Sequence, residues 1–262
     1  MNSLFYFSES LLLASFFVLL LLAAEVGYRW GHRRVLRTPE PISSHLTHEA
    51  SALGVLALIL AFTFSMAVAR FDARRATIID EANAIGTAAL RTDFLPPPFA
   101  DEAKRLLLSY AEARVALYDA GADEVLRAAA NALSEDLHQK IWSIAVQAVG
   151  QHVADVPAIS FAQSVNGVID VYGVRKATYY HHIPDVIYFL ICGVGVVAFG
   201  LSCVASGLER HRTRVPTAMM AVLVLVVVFL IADLDRPQRG LLRIGDQSMT
   251  ELVSDLRAGL PK

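Results

Sequence analysis

The stretch FTFSMAVARFDARRATIIDEANAIGTAAL, Phe62 to Leu90, begins as the apolar run of a membrane helix and ends in the mixed pattern of a helix in water. Nothing between the two halves breaks a helix. From Val55 to Ile85 there is neither glycine nor proline, and at 1.5 Å rise those 31 residues form a rod of about 46 Å, longer than a hydrocarbon core of roughly 30 Å. Part of the rod must leave the bilayer. Ala57, Phe64, Phe71, Ile78 and Ile85 recur at intervals of seven, with Ala82 and Ala89 beside the later ones, so one apolar seam crosses the membrane boundary. A stripe of period 3.5 marks a helix–helix contact. Its partner is either another helix of the same chain or further copies of this helix around a central axis. In the second case Phe64 and Phe71 would form a hydrophobic constriction of the kind that gates by dewetting. Thr63 and Ser65 would add hydroxyl donors to that lining, although hydroxyls in membrane helices commonly bond back to their own carbonyls.

Working outward, the whole chain of 262 residues is 55% hydrophobic and only 18% charged, with a mean hydropathy of +0.48. That is too apolar for an ordinary soluble domain and reads as an integral membrane protein. Twenty-three basic against 25 acidic side chains leave a net charge of −2, so no single-sign field points to nucleic acid. The N-terminus has no positive segment and carries Glu9, which predicts a retained span over Ser10 to Val26 rather than a cleaved signal peptide. Further spans are expected over Ala52 to Ala69, Pro184 to Ser206 and Val215 to Ala232. Cys192 and Cys203, about three helical turns apart, cannot bridge along one helix and read as free thiols.

The expected fold is all-α: a first transmembrane pair over 1–69, a helical soluble domain over 70–183, a second pair over 184–233, and a tail over 234–262. Three successive prolines in LPPPF, Leu95 to Phe99, should stop the long helix. Helices are then predicted from about Asp101 to Gly121, from Asp123 to Val149 with Gly150 as the stop, and from an Asp155 cap to Lys176. Near the C-terminus, Ser248 and Glu251 are placed for a capping box, followed by an apolar stripe of Met249, Leu252, Val253 and Leu256. This short amphipathic helix would lie on the membrane or on the soluble bundle.

Candidate sites are few. Asp233 and Asp235 end the fourth span, where a helix dipole disfavours anions, so they need partners. Arg70, Arg74, Arg75, Arg236 and Arg239 are within reach by topology, forming a juxtamembrane ion-pair cluster or, alternatively, an ion-binding vestibule. Glu25 pairs with Arg29 at a spacing of four. In the third span Gly193, Gly200 and Gly207 recur every seven residues and Ala198, Ser202 and Ser206 every four, which lets backbones approach, within the chain or between copies. His45 to Glu49 and the doublet His181 and His182 match no zinc pattern and fall on opposite membrane sides, so no metal is expected. There is no Gly-rich phosphate loop, no G-x-S-x-G and no catalytic Cys/His spacing, and no enzyme or cofactor is expected. Asp233 with Asp235 would make a poor catalytic dyad, since two residues along a helix diverge by about 200°.

The stretch from Leu60 to Pro96 and the stretch DLDRPQRGLLRI, Asp233 to Ile244, resemble the two signature blocks of the bestrophin-like family of bacterial membrane proteins, with two spans, a helical middle domain and two more spans. The likeness to true bestrophins, which are pentameric anion channels, implies a homo-oligomer whose second span lines the pore and supplies an apolar neck, here Phe64 and Phe71. It implies small anions as the permeant partner and an inner-membrane location with the middle domain and both termini in the cytoplasm. The charge distribution, with Arg29, Arg33, Arg34 and Arg37 in the first loop and Arg210, Arg212 and Arg214 in the third, votes weakly the other way. No counterpart of an acidic calcium clasp is present, so calcium gating is not implied. The rival reading is a membrane-anchored helical scaffold or stress-response module that binds another protein and needs no pore.

Overall fold

The computed structural model describes residues 9–36, 43–121, 123–151, 156–210, 212, 214–236, 242 and 244–259, and the described chain is helical with no strand. Its helices are α1 (Glu9–Val35), α2 (Ser43–Arg91), α3 (Phe99–Asp119), α4 (Glu124–Gln151), α5 (Val156–Tyr180), α6 (Asp185–Leu208), α7 (Arg214–Asp235) and α8 (Gln247–Ala258). The long helix is unbroken: α2 runs through Arg70 for 49 residues and gives way to a 3-10 turn, Thr92–Phe94, before the prolines. Apolar stretches long enough to cross a membrane lie within Leu11–Arg34, His48–Phe94, Val156–Leu208 and Arg214–Asp235.

The chain divides into two compact units, residues 1–69 with 183–235, and residues 70–182 with 236–262. In the first unit α1 packs on α6 and α7. Large apolar side chains such as Leu22, Val26, Phe62, Phe189 and Leu223 remain exposed, as lipid-facing positions require. What brings α1 and α6 together is the absence of side chains. A Cβ built on Gly27 would fall on the carbonyl oxygen of Gly200, one on Gly31 on that of Val204, and one on Gly207 on that of Tyr28. Gly27 and Gly31 are four apart, so one face of α1 is notched to accept α6. Of the glycines predicted to allow close packing, Gly207 does so within the chain, whereas a Cβ on Gly200 would meet the Ala23 carbonyl oxygen at an ordinary 3.8 Å. Gly193 faces open space. Polar contacts pin the ends: Arg29 and Arg212 both reach Glu25, at 2.7 and 3.0 Å, and the Ser202 hydroxyl donates to Glu49 at 2.6 Å.

The second unit gathers the polar half of α2 with α3, α4, α5 and α8 around Ile85, Leu107, Tyr110, Ile141, Phe161, Val165 and Met249. Asp123 caps α4 by accepting the N–H groups of Val125 and Leu126 at 2.9 and 3.1 Å. Gly150 does not stop that helix, which continues to Gln151, and α5 passes Lys176 to reach Tyr180. Asp155, the expected cap of α5, lies outside the described residues.

The C-terminal capping box is corrected. Asp246, not Ser248, occupies the N-cap, without a side-chain bond to the first N–H groups of the helix, and Glu251 instead accepts from the Gln247 side chain at 2.8 Å. The apolar stripe itself is real: Met249 and Val253 are buried, and Leu252 and Leu256 pack on the same core. The helix therefore lies on the soluble bundle, fastened by Arg257 to Glu112 at 2.7 Å.

Replacing Gly31 with valine should separate α1 from α6 at a cost of at least about 3 kcal/mol. Size-exclusion chromatography and thermal unfolding in detergent are the readouts, with Gly193→Ala expected to behave as the parent.

Candidate functional site

The second span carries the expected pore-lining residues, and the structure sorts them by face. The side chains of its apolar half that the chain buries are Leu56, Leu60, Thr63 and Ala67, whose 4-3-4 spacing is one side of a helix. Thr63, 4% exposed, belongs to this side, and its hydroxyl donates to the Ile59 carbonyl at 2.7 Å, which uses its only proton. Phe64 lies about 100° further round and is 39% exposed. Ala57 and Ser65 are exposed as well, Phe71 is half-buried, and Ile78 and Ile85 are buried. The seam thus changes character along its length. Ile78 and Ile85 are covered, whereas the described residues leave Ala57 and Phe64 open.

Asp233 and Asp235 are buried at the end of α7, 4% and 2% exposed. Both carboxylate oxygens of Asp235 accept the Ile183 N–H, at 3.1 and 3.2 Å, so the acid anchors the backbone that leads into α6. Arg74 is buried and donates through Nη2 to the His181 carbonyl at 2.7 Å, just past the C-terminal end of α5. A cation is favoured there by the uncapped carbonyls of the helix. Arg70 and Arg236 are half-buried and Arg75 is exposed. Arg239 lies outside the described residues.

Sequence reasoning missed a connected polar group of the soluble unit, which is built on Glu81. Ile78, Ala82 and Ile85 surround this position on α2 and are buried, and Glu81 is 0% exposed. A carboxylate so placed needs compensation, and three side chains provide it. The Tyr110 hydroxyl donates to it at 2.6 Å, Arg114 Nε stands 2.9 Å away, and Arg175 Nη1 pairs with its second oxygen. Arg175 also donates to the Tyr118 hydroxyl and lies over that ring at 4.7 Å. The Arg114 contact is ionic rather than a well-aligned hydrogen bond, and its Nη1 has no hydrogen-bond partner among the described residues.

Aromatic rings fill the space behind the charges. The Arg114 guanidinium lies over Tyr172 at 5.0 Å, and His138 sits against Tyr110 and Tyr172 at centroid distances of 4.6 and 4.7 Å. Tyr172 and Lys176 both donate to Glu135, at 3.0 and 2.8 Å. Burial pushes the Tyr110 and Tyr118 phenols well above their ordinary range, so both stay protonated donors. Burial, with the Arg114 charge adding to it, lowers His138 to about 4 and keeps it neutral at physiological pH. The Lys176 and Tyr172 hydrogen bonds hold Glu135 below the usual carboxylate range. One signal in the sequence pointed to this group: Glu81 interrupts the apolar positions Ile78, Ala82 and Ile85, and Arg114 stands between Tyr110 and Leu117 at helical spacing. Since a phenol and two guanidiniums from α3 and α5 hold Glu81 of α2, the arrangement suits locking these helices in register.

A family model described as a Bestrophin-like domain matches residues 42–249. A bacterial bestrophin homologue from Klebsiella pneumoniae shares the fold with a TM-score of 0.69 at 14% identity, over 95% of this chain and 98% of that one. A variant of that homologue gives 0.67 at 13% identity over 97% and 100%, and a further structure described as a membrane protein gives 0.69 at 13% over 95% and 97%. Curated proteins yield no match.

Glu81→Ala strips two buried guanidiniums of their counter-charge and should cost about 3–5 kcal/mol in thermal unfolding, against about 1 kcal/mol for Tyr110→Phe. His138 gives a pH signature. Its folded pKa of about 4 lies below the ordinary 6.5, so the unfolded chain takes up a proton first as pH falls through 6.5, and stability declines until about pH 4. His138→Phe should remove on the order of 2 kcal/mol of that decline. Unfolding curves of the two proteins across this pH range make the comparison.

Proposed function

The chain belongs to the Bestrophin-like family, and from that premise we propose that copies of this membrane protein assemble around the second span, α2, and pass small anions. The observation that supports the reading is the divided face of α2: own-chain packing covers Leu56, Leu60, Thr63 and Ala67, while Phe64 and Ser65 next to them stay exposed. A helix with one packed side and an adjacent open apolar side is the geometry a pore helix needs. Phe64 would form the neck, with Phe71 one seam interval below it. Thr63 drops out of the lining because its hydroxyl is spent on Ile59.

Oligomerisation draws further support from the soluble unit. Leu126, Leu133, Trp142 and Val146 of α4 are exposed. At 100° per residue Leu126 and Leu133 share one face of α4 and Trp142 and Val146 the opposite one, so each pair is a small apolar group that a protein neighbour would cover. In the family's orientation this unit and both termini lie in the cytoplasm of a cell whose inner membrane holds the four spans. The same surface would also serve a scaffold that binds another protein as a monomer or dimer, and the particle mass in detergent separates that alternative.

Purified protein reconstituted into vesicles is expected to release chloride or nitrate, with Phe64→Ser raising the rate several-fold by wetting the neck. Absence of chloride and nitrate flux at every pH and calcium concentration overturns the channel reading, and flux insensitive to Phe64 removes α2 from the pore.

A further inference from the structure

The polar group around Glu81 opens on one side into a pocket of about 60 Å³ lined by Arg74, Thr77, Tyr118, Arg175 and Tyr179 together with two isoleucines. Every lining residue belongs to the soluble unit. At roughly 10–15 Å³ for each water-sized sphere, this is room for a small polyatomic ion rather than a metabolite.

Three features select the sign of an occupant. Glu81 is a single buried carboxylate shared by Arg114 and Arg175, and Arg74 also lines the pocket, so guanidiniums outnumber carboxylates around it. Arg175 meets both this group and the pocket. The Tyr118 hydroxyl accepts a hydrogen bond from Arg175, which leaves its own proton to donate, and burial keeps that proton in place. Thr77, by contrast, donates to the Arg74 carbonyl at 2.8 Å and offers only acceptor capacity. The charged groups whose fields reach Tyr118 are Arg114 and Arg127 on the cationic side and Asp246 on the anionic side, a balance that again favours an anion.

We propose that this pocket is a binding site for one small inorganic anion, held by the Arg175 guanidinium and the Tyr118 hydroxyl. The anion binds the folded state alone, because the unfolded chain does not bring α2, α3 and α5 together, and so it raises stability by mass action. The site does not depend on conduction through the second span.

Bromide is the probe. Crystals of the full-length protein grown or soaked in sodium bromide should show an anomalous peak in the pocket beside Arg175 and Tyr118. In detergent, the unfolding temperature should rise with bromide or nitrate at constant ionic strength against gluconate, which is too large to enter. Tyr118→Phe keeps the ring beneath Arg175 and should shift the half-saturating bromide concentration upward about tenfold. Arg175→Gln, if it folds, should abolish the response. A pocket without a bromide peak overturns the proposal, as does an unfolding temperature that ignores the identity of the anion or a response that Tyr118→Phe leaves intact. Vesicle flux with an empty pocket would remove this site and leave the channel, and bromide in the pocket without flux would do the reverse.

Discussion

In hydrocarbon every backbone N–H and carbonyl must find its partner inside the chain, and this constraint governs the molecule. A helix meets it locally, and α2 goes on meeting it for 49 residues, from Ser43 through the apolar run and past Arg70 to Arg91. Only the side chains have to adapt as the surroundings change. They do so on one face, where Phe64 stays open and Ile78 and Ile85 are enclosed by the helices of the soluble unit. One seam therefore serves two purposes, and its open half is what an assembly around α2 would use.

The two units are held by opposite means. The membrane unit joins α1 to α6 by deletion: glycines at 27, 31 and 207 let backbones come closer than any side chain allows. Water drives little association between helices in lipid, so close van der Waals approach has to do it. The soluble unit joins its helices around aliphatic and aromatic side chains and then adds a buried charge, Glu81, tied to α3 through Tyr110 and Arg114 and to α5 through Arg175. Such a group adds little net stability over an apolar filling. What it adds is discrimination, since a slip of α2 by one residue would turn the carboxylate away from all three partners.

The same group has a side open to solvent, where Arg175 and Tyr118 border a pocket. An arrangement that fixes helix register thus exposes a cationic, hydrogen-bond-donating surface as a by-product. Anion recognition in this chain would then reside in two places, an apolar neck that admits ions and a polar pocket that holds one.

Much of this was legible in one dimension. Hydropathy located four spans, the lack of glycine and proline between Val55 and Ile85 predicted the unbroken helix, and two long blocks pointed to the family, because each is a property of consecutive residues. Cap chemistry was less legible: Asp123 does cap α4, but Ser248 does not cap α8, since the side chain that closes a helix end depends on how the preceding segment arrives. The spacing of small residues in α6 was visible, yet the notch that receives it, Gly27 and Gly31 of α1, acquires meaning only when the two helices are laid side by side. Likewise the sequence alone determined that an apolar seam exists, and the tertiary structure alone decided which half of it is covered. Glu81, Tyr110, Arg114 and Arg175 are separated by up to 94 positions and share no motif. A periodicity is written into neighbouring residues, but a meeting of distant charges is written only into the packing that desolvates them together.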